Sequence, residues 1–424
     1  MLGSAPRFSI VVLTCNEAWA LPRLLWSLED FIDRGGEVLV VDTGSTDDTI
    51  AIAQRRGCRV DLVHDQFDAV LDDAQAAAIE RRFARGEESP LVAAGQRLFH
   101  FADARQYAGL LAANRFVLQL DASDEVAPLD IDAFDRWIDS GGVDSFEYNQ
   151  LYGFEPTQLY GNVMYGPVGL RIARFYDRTR YHWKGRVHEL LRASEPADTT
   201  AASTMRCDPT QLLVRHYKDN TKPRNYLAGL ALQVLEWPDK ARWWHYLGRE
   251  LFYHCRYESA IAALEEHASM EGAWSAERSQ SLCFMGESLE MLGRVGEAKD
   301  VYRRAFTLDP TRREPLLRLA TTCSRSGEFE VAVQCASQSL TIPRSNPYPE
   351  PEANYTWIPH SLLYWSLFWL GRKDEARAHW ETYRSLVPQH SMAREHARLF
   401  PPASEGASRH HPSAQPTAER ASAF

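Results

Sequence analysis

The chain has 424 residues, more than one ordinary core holds and enough for two or three domains. Its 47 Lys+Arg against 57 Asp+Glu leave a net charge of −10, with a pI of about 5.8, so it lacks the broad cationic surface that a nucleic-acid partner would need. The seven cysteines, at 15, 58, 207, 255, 283, 323 and 335, form no CxxC and no Cys/His cluster, which argues against a disulfide framework and points to reduced thiols in a cytoplasmic protein.

The N-terminal apolar run FSIVVLT (8–14) ends at Cys15-Asn16-Glu17 with no cleavage site after it, so it reads as a first strand and not as a signal peptide. A helix follows around Leu21–Phe31, then strand EVLVVD (37–42), a helix beginning near Thr46, and strand CRVDLV (58–63). This βαβαβ order implies a parallel sheet with right-handed crossovers. Ser45, Thr46 and Asp47 suit the exposed amides and positive end of the second helix. Residues 65–98 are Ala-rich, charged and helix-prone, and are expected to be a helical insertion. The next strand-type run, FVLQLD (116–121), stops at an aspartate just as EVLVVD does, and such runs suit central strands buried on both faces. Ligands of open α/β sheets bind beyond the carboxyl ends of the strands. Asp42 and Asp121 are therefore expected to point into one crevice beside the turn Gly44-Ser45-Thr46, as in an enzyme that handles a nucleotide and a metal.

Near residue 235 the pattern becomes helical. RYESAIAALEEH (256–267), RVGEAKDVYRRAFTLDP (294–310), EFEVAVQCASQSL (328–340) and RKDEARAHWETYRSLVP (372–388) align on Ala260, Ala298, Ala332 and Ala376. One interval equals the 34-residue period of tetratricopeptide helix pairs, and Gly293, Gly327 and Gly371 each stand five residues before their alanine, where the turn belongs. The longest interval accommodates a loop, PRSNPYPEPEANY (343–355). The expected domains are thus an α/β domain over 1–235, helical repeats over 236–400 and a disordered tail over 401–424. No window approaches a membrane span; SLLYWSLFWL (361–370) is too short.

Taken together, FSIVVLTCNEAWALPRLLWSL, VVDTGSTDDT, FADARQYA (101–108) and LQLDASDEV resemble family 2 glycosyltransferases of the GT-A fold. HWKGRVHEL (182–190) and VRHYKDNTKPRNYLAGLALQVLEWPD (214–239), followed by repeats, resemble the bacterial subgroup that includes peptide S-glycosyltransferases and lipopolysaccharide-core sugar transferases. The likeness covers residues 8–64 and 99–390. It implies a GT-A-like α/β domain followed by tetratricopeptide-type repeats, and an inverting transfer of a hexose or N-acetylhexosamine from a nucleotide sugar, expected to be uridine-linked, to a peptide or protein acceptor, or to a lipopolysaccharide-core glycan.

Such a transfer needs a slot for the base, charge to offset the departing diphosphate, and a proton acceptor. The resemblance places Thr14, Asn16, Glu17, Asp42, Gly44, Arg105 and Asp121 on the nucleotide sugar, with Asp42 holding base or ribose. Asp121 opens the family's DXD motif. Ser123 stands where its second acid usually does, which leaves two readings: Asp124 is the substitute ligand for a divalent cation, Mn²⁺ or Mg²⁺, or the metal is held only feebly. Glu189 is the preferred base and His188 its neighbour of similar capacity; His216 matches a subgroup histidine without an assigned role. Read without the resemblance, Asp42 and Asp121 also suit helix capping, Arg105 a surface ion pair, and His188-Glu189 a structural pair. With Ser123 in the motif, a catalytically weak member acting as a repeat-based binding module stays open. A homodimer through the repeats or the 65–98 insertion is a further expectation.

Overall fold

The computed structural model describes residues 5–86, 88–152, 158–159, 163–164, 168–194, 203–217, 226–344 and 348–401. The predicted tail from residue 402 onward, and residues 218–225 of the segment that supports the resemblance, lie outside the described residues. The chain forms two compact units: residues 1–82, 89–157 and 167–237 in the first, and 83–88, 158–166 and 238 onward in the second.

In the first unit, β1 (Phe8–Thr14), α1 (Leu21–Ser27), α2 (Glu29–Asp33), β2 (Glu37–Asp42), α3 (Thr49–Arg55) and β3 (Arg59–Leu62) follow the order expected from the sequence. The 65–98 stretch is only partly helical: β4 (Asp68–Val70) and β5 (Arg97–Phe99) pair antiparallel on either side of α4 (Asp73–Phe83). Then come α5 (Phe101–Leu111), β6 (Phe116–Asp121), β7 (Asp124–Leu129), α6 (Ile131–Ser140) and β8 (Ser145–Tyr152). The short strands β9 (Gln158–Leu159) and β10 (Val163–Met164), which fall in the second unit, pair with each other. The first unit ends with β11 (Val168–Asp177), the hairpin β12 (Tyr181–Lys184) and β13 (Leu190–Ala193), β14 (Thr204–Arg206), β15 (Leu212–His216) and α7 (Leu227–Glu236).

The sheet runs β3-β2-β1-β6-β11-β8-β15-β7, with β14 also on β8. It is parallel from β3 to β6 and mixed beyond, because β11 returns antiparallel to β6. Alternation along β1 sends Phe8, Ile10 and Val12 to one core, with α1, α2 and α6, and Val11 to the other, under α5. Both faces are therefore covered, which is why β1, β2 and β6 read as largely apolar runs.

The second unit pairs α8 (Ala241–Tyr253) with α9 (Tyr257–Ser269), α10 (Ser275–Met291) with α11 (Val295–Leu308), and α12 (Glu314–Arg325) with α13 (Phe329–Thr341). After the short α14 (Glu352–Tyr355), α15 (Trp357–Trp369) pairs with α16 (Lys373–Leu386). Ala260, Ala298, Ala332 and Ala376 are fully buried. A methyl is the side chain that lets the two helices of a pair close, and larger groups would overpack at about 1–3 kcal/mol. Gly293, Gly327 and Gly371 occupy the left-handed region at φ 75°, 78° and 77°. The first pair makes the same turn at Cys255, φ 58°, also five residues before its alanine, so one turn of the four tolerates a side chain. Among the described residues no helix is long and apolar enough to cross a membrane.

Candidate active site

The carboxyl ends of β1, β2 and β6 share one edge of the sheet. Register pairs Thr14 with Asp42 and Leu13 with Asp121, so the two acids stand on either side of β1, two strand spacings or about 10 Å apart. Their environments differ. The Asp42 side chain is fully buried, and its two oxygens accept hydrogen bonds from the amides of Gly44 (3.0 Å) and Ser45 (2.7 Å) and the hydroxyls of Thr14 (2.9 Å) and Ser45 (2.5 Å). Gly44 takes φ 117°, where a side chain would be strained. Asn16, at φ 54°, accepts from the Thr46 amide (2.8 Å) and donates its own amide to Ser45 Oγ (2.8 Å), and the Glu17 amide donates to Thr49 Oγ1 (2.8 Å). Thr14, Asn16, Glu17, Asp42 and Gly44 thus knot two loops together. Asp42, expected to hold base or ribose, here accepts from Thr14 and from the Gly-Ser turn.

Asp121 sits in a different setting. Its Oδ1 accepts from Arg105 Nη2 (2.6 Å) and its Oδ2 from Arg174 Nη1 (2.8 Å). Arg105, 5% exposed, also donates Nε to Glu189 Oε1 (2.6 Å), and Arg174 Nη2 lies 3.9 Å from the same oxygen. Burial would raise the Asp121 carboxyl, but Arg174 and Arg105 outweigh it and hold it well below the usual carboxylate range. Burial opposes the charge on both guanidiniums as well, yet Asp121 and Glu189 keep them firmly protonated. Gln119 braces α5 from below, donating to the Arg105 carbonyl (2.7 Å) and to Tyr176 Oη (2.9 Å).

Next to this group, Asp124 Oδ2 accepts from the Asp121 amide (2.9 Å), while its Oδ1 meets Gln150 Nε2 (3.0 Å) and His216 Nδ1 (2.8 Å). Burial pushes the Asp124 carboxyl up despite the His216 contact. Burial would lower the His216 ring, but its hydrogen bond to Asp124 more than compensates and raises it. Asp121, Asp124 and His216 each offer one ligand atom, all within 4.8 Å of one another. Two carboxylates and an imidazole are a donor set that suits a hard or borderline divalent cation. Ser123 contributes its carbonyl to the Tyr217 amide (2.9 Å), a backbone role.

The fold therefore joins Arg105, Asp121 and Glu189 directly and sets Asp124 beside them. The His188 backbone is left-handed (φ 52°), and its ring lies 5.8 Å from that of Tyr226. Two members of the cluster were missed in the sequence. Arg174 lies in a bulge, since β11 pairs Ile172 with Tyr148 but Phe175 with Phe146, so two residues oppose one. The bulge breaks the period-2 rule, and no sequence signal reveals it. Gln150 did leave a signal, a polar residue on the strand face that carries Phe146 and Tyr148, and it is fully buried.

Residues 9–78 match the family model described as Glycosyl transferase family 2. Over 54 residues, 13% of this chain, the sequence is 43% identical to an uncharacterised glycosyltransferase of Rickettsia felis (strain ATCC VR-1525 / URRWXCal2). That alignment spans 18% of the relative's length. Similar solved structures include the MamA protein (14% identity, 43% of this chain and 86% of that one, TM-score 0.31) and PilF of Pseudomonas aeruginosa (17%, 40% and 72%, TM-score 0.33).

Proposed function

We propose that this chain, a family 2 glycosyltransferase domain joined to tetratricopeptide-type helical repeats, transfers a hexose or N-acetylhexosamine from a uridine-linked nucleotide sugar to a peptide or protein acceptor, with inversion. The observation that carries this reading is the pair of guanidiniums, Arg105 and Arg174, held by Asp121 and Glu189 at the carboxyl end of a central strand. A donor diphosphate needs positive charge fixed in advance where negative charge grows on the leaving group. On this reading Arg105 and Arg174 turn from the acids to the diphosphate. Asp121, Asp124 and His216 would hold Mn²⁺ or Mg²⁺, which when bound offsets diphosphate charge. Glu189, released from Arg105, accepts the proton of the acceptor nucleophile as the acceptor attacks the anomeric carbon from the side opposite the departing diphosphate.

A thermal-shift panel of nucleotide sugars, with and without Mn²⁺, tests this. One uridine-linked sugar is expected to raise the melting temperature by several degrees, and Asp121→Ala to remove both the shift and turnover. If no nucleotide sugar is bound or consumed, the protein is instead a repeat-based binding module; turnover onto oligosaccharides alone would make it a glycan-core enzyme. Glu189→Gln keeps the hydrogen-bonding shape and removes the basic carboxylate, so kcat should fall about 10²–10⁴-fold while nucleotide affinity holds. Unchanged kcat would reduce Glu189 to a positioning residue for Arg105.

A further inference from the structure

Two connections between successive helix pairs are five residues long, 270–274 and 309–313, but the connection from α13 to α15 takes fifteen, 342–356. Its two ends are pinned at one place: Arg313 donates to the carbonyls of Ile342 (2.6 Å) and Asn354 (3.4 Å). The residues between are carried back over earlier pairs. Tyr348 Oη comes within 3.3 Å of His245 Nε2 on α8, 103 positions earlier, and its ring lies 5.5 Å from that of Trp274 and 4.9 Å from the Arg312 guanidinium. Glu350 Oε1 accepts from Arg312 Nε (3.1 Å), and neither side chain is more than 1% exposed. Arg312 in turn reaches Ser279 Oγ (3.2 Å) on α10 and Glu314 (2.9 Å) on α12.

The excursion thus meets α8 at His245 and the residues that lead into α10 and α12, Trp274 and Arg312, the last of which carries the contact on to both helices. It is built like a bound peptide. Tyr348 and Glu350, two positions apart, both close on Arg312. Pro349 and Pro351 stiffen the chain between and after them, with Pro351 at φ −56°, ψ 140°, so little ordering entropy is lost in holding it. The residues beneath answer each group separately: His245 and Trp274 take the ring, and Arg312 takes both ring and carboxylate.

We propose that residues 348–352 are an internal ligand seated in a peptide groove of the repeats, and that this groove takes an extended peptide segment carrying an aromatic residue and, two positions on, a carboxylate. A tethered segment competes at an effective concentration on the order of millimolar, so a partner must outbind it.

The probe is a synthetic peptide of residues 345–356, titrated against the full chain and against the full chain carrying Tyr348→Ala and Glu350→Ala. The double variant should bind it at least about tenfold more tightly than the unaltered chain, and a peptide with the same tyrosine and glutamate replaced should not bind. Equal affinity for both proteins, or no binding to the variant, overturns the proposal, and so does a variant whose repeats no longer fold, because the segment would then be a structural wedge. Hydrogen exchange on the unaltered chain gives an independent reading. Amides of 348–355 should exchange at least about a hundredfold faster than those of α13 and α15; equal protection would mean a segment that does not leave its groove.

Discussion

Arg105→Ala is expected to lower kcat/KM by at least about 10³-fold and to destabilise the first unit by about 3 kcal/mol. The arginine is 5% exposed and is shared by Asp121 and Glu189, each at 2.6 Å. Removing it leaves two acids with Arg174 alone, at 2.8 and 3.9 Å. Breaking a buried pair from one side typically costs about 3–5 kcal/mol. The lower end applies here because the Asp121 side chain is 29% exposed and retains one partner. The catalytic loss follows from removing a donor aimed at developing charge, about 10²–10³ for one such group, and from freeing Asp121 to lean wholly on Arg174. Arg105→Lys keeps the charge but not the planar fork that serves two carboxylates at once, so it should recover stability better than turnover. Denaturant unfolding and a transfer assay check both parts, and near-normal turnover in Arg105→Ala would refute the role given to the pair of guanidiniums.

Trp380→Ala should cost the repeat unit about 3–5 kcal/mol, the largest stability loss expected from a single truncation there. Trp380 on α16 is 2% exposed. It stacks on Phe400 (5.3 Å, 18°) and meets Tyr364 edge-on (5.3 Å) and Tyr383 (6.0 Å). An indole of this kind buries roughly 150–250 Å², which at about 25 cal/mol/Å² gives about 4–6 kcal/mol as an upper bound. Trp26→Ala is the control: that ring is 67% exposed on α1, and its loss should stay within about 0.5 kcal/mol. Calorimetry resolving the transitions of the two units would show one moving and the other still. A Trp380→Ala chain with an unmoved repeat transition would mean that this aromatic cluster adds nothing to the fold.

Much of this architecture was written in local pattern. A run that is apolar on both of its alternating faces is compatible with a strand covered on both sides, and β1, β2 and β6 come close to this, broken inside only by Ser9 and Gln119. The 65–98 stretch misled because its alanines favour a helix, whereas β4 and β5 gain their pairing only from each other across the chain. Ala260, Ala298, Ala332 and Ala376 marked the places where helices close, and the glycines before three of them marked the turns. Cys255 escaped notice because a non-glycine left-handed residue has no signature of its own.

Sequence alone determined which faces are buried, where the strands end in acids, and where the helical pairs repeat, because each is written along the chain, in the alternation of a single element or in residues that recur at the spacing of one helix pair. Tertiary structure decided what the acids do. Asp42 and Asp121 end their strands in similar ways, yet one is saturated by its own turn and the other is held by Arg174 and Arg105. The partners of the site are separated along the chain by 53 positions (Arg174 to Asp121), 84 (Arg105 to Glu189) and 92 (Asp124 to His216). Bonds across such distances depend on strand order, a bulge in β11 and the return of β15 beside β7. No local pattern of residues encodes those.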